Sequence, residues 1–136
     1  MGAWGAGNFQ QDNALDFLGR EVQQPLVRHV ETMLADPASA QADDPYSGPI
    51  MAAVELLALL TEQVNAVPPK PDTVTRWRDT FLPAWDRTCL NVYFRAEDAA
   101  ARREVIAATF ERLLALAVKW HARPAEPGAA ADRGGM

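Results

Sequence analysis

Residues 49–66 read PIMAAVELLALLTEQVNA, and the fold follows from them. Drawn at helical pitch, Ile50, Met51, Ala53, Val54, Leu56, Leu57, Leu59, Leu60 and Val64 cover most of the circumference. Pro49 suits a first turn, where its missing N–H would have no partner, and Ser47 is a good cap. A helix apolar nearly all round is normally enclosed by others. The stretch therefore predicts a central helix over 49–66 with the rest of the chain packed around it.

Upstream, residues 36–48 (DPASAQADDPYSG) have the composition of a loop. Before them, Ala14, Leu15, Leu18, Val22, Leu26, Val30 and Met33 recur at helical spacing behind Asp12 or Asn13, either of which can cap. Pro25 lies inside that pattern, so a kink is expected, or two helices over 13–23 and 25–35. Downstream, Pro68-Pro69-Lys70-Pro71 is a stiff connector and Asp72 a candidate cap. Val74, Trp77, Phe81, Trp85, Cys89 and Tyr93 form one stripe, which Pro83 should kink or break near Leu82. A last helix over 97–121 carries Ile106, Phe110, Leu113, Leu114, Ala117 and Trp120 on one side. No segment alternates with period two, so no sheet is expected. The predicted fold is all-α: four to five helices around the central one, in a single domain over 1–121. Residues 122–136, rich in Pro, Gly and Ala, are expected to fray.

The chain has 136 residues and a net charge of −5. A domain of this size can bury about two-thirds of its unfolded surface without covalent staples. Residues 70–95 carry Lys70, Arg76, Arg78, Arg87 and Arg95 against Asp72, Asp79 and Asp86. That excess is too small for the concentrated basic face nucleic acid requires, so no nucleic-acid partner is expected. The single cysteine, Cys89, allows no intrachain disulfide. The N-terminus lacks a basic stretch followed by an apolar one, and Ile50–Leu60, interrupted by Glu55, is too short for a bilayer. A cytoplasmic protein without a membrane partner is the expectation.

The opening MGAWGAGNFQQ is a glycine-rich N-terminal lead-in. Gly2, Gly5 and Gly7 give it conformational freedom, and Trp4 and Phe9 are expected to fold back onto the helices. Glycines before a helix also invite a phosphate-cradle reading, but no strand precedes them and no P-loop follows. Turn geometry is the simpler account. Met1-Gly2-Ala3-Trp4-Gly5-Ala6-Gly7-Asn8-Phe9, then Asp12 and Ala14-Leu15-Asp16-Phe17-Leu18, resembles the opening of the bacterial family known as domain of unknown function 4259. Ala52-Ala53-Val54-Glu55-Leu56-Leu57 partly matches a second family element. Gln10-Gln11-Asp12-Asn13 departs from the family's Glu-Asn-Asp-Asp, which weakens any shared carboxylate site. The resemblance implies a small helical bacterial domain and no activity. It marks Gly2, Trp4, Gly5, Gly7, Phe9, Asp12, Asp16 and Glu55 as motif positions of structural character.

Three constellations carry possible chemistry. Asp12 and Asp16, four apart, could join Glu55 in a carboxylate cluster; as a cap and a first-turn charge, the two aspartates need no such role. Glu55 sits among Met51, Val54, Ala58 and Leu59, so it is expected to be buried and paired, tying the lead-in to the core. A catalytic acid is the other reading of that position. His29, His121 and Cys89 form no metal signature, and neither a metal nor a cofactor is expected. Finally, Arg76, Trp77, Arg78 and Arg87 interleave arginine with an aromatic stripe, which is core packing or, if exposed, a partner surface. The preferred function is a non-enzymatic protein-interaction module, accessory or immunity-type, with Arg76, Trp77, Arg78 and Arg87 as its binding residues. The alternative is an enzyme or metal-binding protein using the carboxylates.

Overall fold

The computed structural model describes residues 5–122. The helices are α1 (Asp12–Leu18), α2 (Gln24–Leu34), α3 (Ser47–Val64), α4 (Pro71–Thr88) and α5 (Ala96–His121). A π-helical turn, Gly19–Gln23, joins α1 to α2, and short 3-10 turns follow α2 (Pro37–Ala40) and α4 (Cys89–Asn91). No β-strand occurs among the described residues, and the fold is all-α. No helix among them is long and apolar enough to cross a membrane.

Four helices enclose the core. Going round it, α2 packs on α3, α3 on α5, α5 on α4, and α4 back on α2. Trp77, Phe81, Phe110, Ile50, Leu57 and Ile106 are the largest side chains closed off inside. The Phe81 and Phe110 rings meet at 5.7 Å between centroids, tilted by 55°, a favoured aromatic geometry. The aromatic stripe of α4 thus supplies the centre of the core, opposite Ile50, Val54 and Leu57 of α3. α3 forms one wall of four. Its Ala52, Glu55, Leu56, Glu62 and Gln63 face solvent. Alanine at several α3 positions brings neighbouring helices close, so a wide apolar stripe is buried without a full ring of partners.

The two prolines inside the helical patterns act differently. Pro25 stands in the first turn of α2, as expected of a proline that opens a second helix, and the segment divides into α1 and α2 about the π turn. The turn before Pro25 widens, with Gln24 N–H bonding to Gly19 O, five residues back. That widening relieves the clash of a proline ring with the preceding turn. Pro83 breaks nothing: α4 runs through it to Thr88. Pro83 is exposed, so the carbonyl it leaves unbonded can reach water, while Phe81, Ala84 and Trp85 pin the helix to the core on either side.

Because α3 and α4 stand diagonally across the core, residues 65–70 must cross one end of the bundle. Asn65 ends α3 in the left-handed conformation, φ 58°, and Ala66 N–H bonds back to Leu60 O at 3.2 Å. This six-to-one bond is the Schellman closure of a helix. The connector then runs extended to Lys70 (φ −65°, ψ 151°), and Pro71 opens α4. The cap is therefore Lys70 rather than Asp72, and at α3 it is Tyr46 rather than Ser47. At α1, Gln11 occupies the cap position and Asp12 is the first helical residue.

Candidate binding groove

The predicted arginine–tryptophan surface comes apart in the structure. Trp77 is 0% exposed. Its indole N–H has no hydrogen-bond partner among the described residues. Arg76 bonds Glu31 of α2 through both terminal nitrogens, at 2.7 and 2.9 Å. Arg78 reaches Asp79 and Glu111 of α5, each at 3.0 Å. Arg103 of α5 holds Asp86 of α4 at 2.8 and 3.0 Å, and Arg112 of α5 holds Glu62 of α3. These arginines fasten helix to helix. Arg87 is exposed and pairs with no acid among the described residues. A stripe of period 3.6 must turn inward to bury its aromatic residues, and its flanking arginines then fall at the seams with α2 and α5.

Glu55 also departs from expectation. It is exposed on α3, on the side of Arg112, whose guanidinium feels its charge. Among the described residues it makes no bond to the lead-in. It lies on the outward stripe of α3, between the buried Met51 and Ala58 turns, where sequence neighbours are apolar but spatial neighbours are solvent. Among the described residues no three His, Cys, Asp or Glu side chains gather in a metal-holding group, so Asp12, Asp16 and Glu55 form no cluster.

In the lead-in, Gly2 and Trp4 lie outside the described residues, as do residues 123–136 of the tail. Gly5 and Gly7 are not in the left-handed region. They make room for Gln10: its side-chain oxygen accepts from Gly7 N–H at 2.8 Å, and a Cβ on Gly5 would collide with that side chain where it now lies. Phe9 is exposed, not folded onto the helices, because α1 extends beyond the bundle and only Leu18 of it is buried.

What α1, the π turn and the connector do build is a groove of about 840 Å³. One wall is Leu15, Asp16 and Gly19, continued by Val27 and Arg28 of α2. The other is Val67, Pro68, Pro69 and Lys70, closed by Thr73. The connector is fixed from both flanks. Gln23, in the π turn and buried, donates from Nε2 to Val67 O at 2.6 Å, and His121, ending α5, donates from Nε2 to Pro68 O at 2.9 Å. A proline-rich strand fixed at two consecutive carbonyls presents a rigid wall.

The charges in the groove are uneven. Glu31 is occupied by Arg76. That bond holds its carboxyl below the usual range against the opposing effect of burial, with the Trp77 indole adding a smaller electrostatic pull. Arg20 pairs with its neighbour Glu21 at 3.1 Å. The side chains of Arg28 and Lys70, one on each wall, make no ion pair or hydrogen bond among the described residues. Asp16 is the other carboxylate of the lining. Among the residues lining the groove, Asp16 is the one the sequence marked as a candidate site residue. Gln23 went unnoticed beside Val22, although a polar residue two before an in-helix proline was a usable signal.

A family model described as domain of unknown function (DUF4259) matches residues 2–125. No curated protein and no solved structure matches the chain.

Proposed function

The chain belongs to the DUF4259 family, and on that premise we propose that it is a non-enzymatic protein-interaction module of accessory or immunity type, which receives its partner in the groove beside the π turn. One observation carries this reading. The arginines at the helix seams are consumed in bonds to carboxylates, whereas Arg28 and Lys70 are left without one on opposite walls of a preformed concavity. Unpaired cations flanking apolar surface are the makings of a recognition site rather than of stability. The seat of binding moves accordingly, from the α4 stripe to the groove. The cytoplasmic setting belongs to the same proposal and rests on the lone Cys89, which suits a reducing compartment.

The test is affinity capture from lysate of the native organism, with the full chain beside an Arg28→Glu/Lys70→Glu variant of matched melting temperature. A stoichiometric protein retained by the parent and lost by the variant is the expected result. Identical captures from both would place the contact elsewhere and sink the groove reading.

A further inference from the structure

The chemistry of the groove specifies its occupant, an inference that rests on reading it as the partner site. We propose that it takes an acidic peptide segment of the partner that carries an apolar anchor, held by side chains rather than by strand addition.

The exclusion of strand addition follows from the connector. An added strand needs free backbone donors and acceptors along the wall it joins. Pro68, Pro69 and Pro71 have no N–H, and the carbonyls of Val67 and Pro68 are taken by Gln23 and His121. The opposite wall is helical, with its backbone bonded internally. Recognition therefore falls to side chains.

Those side chains are of two kinds. Leu15, Val27, Val67 and Pro69 give apolar contact. Arg28 and Lys70 give positive charge from both sides, and with Glu31 neutralised by Arg76 only Asp16 opposes them. On a protein of net charge −5, this is a local reversal of sign. An acidic segment is drawn to it and repelled from much of the remaining surface, which favours correct seating. Asp16 then sets register, by disfavouring a carboxylate at its own end of the groove. A nucleic-acid strand would add a phosphate at each nucleotide against Asp16, Glu21 and the overall charge, and is the poorer fit.

The experiment selects binders from a random displayed peptide library on the immobilised full chain, then measures synthetic copies by fluorescence polarisation. The selected peptides should share an excess of Asp or Glu beside at least one large apolar residue. Their affinity should fall about tenfold or more in Arg28→Glu/Lys70→Glu, and likewise when their acids are replaced by amides. Phe94→Ser, far along the chain from the groove residues, should leave it unchanged. Selection of neutral or basic peptides, indifference to the charge reversal, or failure to select any peptide would each overturn the proposal. So would tighter binding of citrate or of a single-stranded oligonucleotide at the same residues, which would identify a small carboxylate or a nucleic acid as the occupant. In any of these cases a lysate partner lost on charge reversal would still uphold the interaction reading, so the two ideas fail separately.

Discussion

Trp77 shows how much a single position decides. It is closed off completely, on the face of α4 that meets the core, and truncation would leave a cavity the surrounding helices can only partly fill. Trp77→Ala should cost about 3–5 kcal/mol, read as a fall in the urea midpoint at unchanged slope. A loss below about 1 kcal/mol would mean the core collapses around the gap. Beside it, Glu31 gives stability a pH dependence of known sign. Its folded carboxyl lies below the ordinary value of 4.5, chiefly because of the Arg76 hydrogen bonds. Its contribution is therefore fully present above that ordinary value and is lost as pH falls through the folded one. Both partners are more than a third exposed, so the effect is modest, of the order of 1 kcal/mol or less. Glu31→Gln should lower the urea midpoint at pH 6, and the deficit should shrink as pH falls below the ordinary carboxylate value. A deficit undiminished by acid would deny the carboxylate its role.

At the scale of elements, the π turn and the connector are one device. The proline that forces the turn to widen lies two residues beyond Gln23, whose amide fixes the connector. Gln23→Leu removes that bond and leaves Val67 O without its partner, at a cost of about 1–3 kcal/mol. Hydrogen exchange should show the loss as faster opening around residues 65–70, with the α4–α5 seam unaffected. Uniform acceleration across the bundle would mean that the bond supports the whole fold and not the wall. Gly19, by contrast, has helical angles and room: an added Cβ would meet only Gln23 Oε1, at 3.8 Å. Gly19→Ala should stabilise by about 0.4–1 kcal/mol through the unfolded chain, visible as a higher melting temperature. Destabilisation would show that the π turn needs freedom that a static view does not reveal.

The whole molecule is a four-helix enclosure whose seams carry charge. Arg76–Glu31 joins α4 to α2, Arg78–Glu111 and Arg103–Asp86 join α4 to α5, and Arg112–Glu62 joins α5 to α3. These bridges are exposed, so they set which helices adjoin more than they add stability. Burial of apolar side chains supplies the driving force. Away from the seams, Leu90, Val92 and Phe94 project from the segment between α4 and α5, Phe94 being 99% exposed. It contributes nothing to the core, so Phe94→Ser should leave the melting curve within about 0.5 kcal/mol of the parent. A larger loss would show that Phe94 is covered in solution.

Residue pattern by itself determined the helices and their inward faces. Helical spacing of Trp77, Phe81 and Trp85, and of Ile106, Phe110 and Leu113, marked the buried stripes directly, because burial is dictated by which side of a helix carries apolar surface. The family, too, is legible in the sequence, which matches the DUF4259 model over residues 2–125. The tertiary structure alone decided what stands opposite each stripe. The exposure of Glu55, the continuity of α4 through Pro83, the use of Arg76 and Arg78 as clasps, and the meeting of Arg28 with Lys70 across the groove all depend on residues distant in sequence. The physical reason is that periodicity fixes direction about a helix axis, whereas neighbours come from how the axes pack. A connector that must cross a bundle diagonally creates a site no local pattern announces.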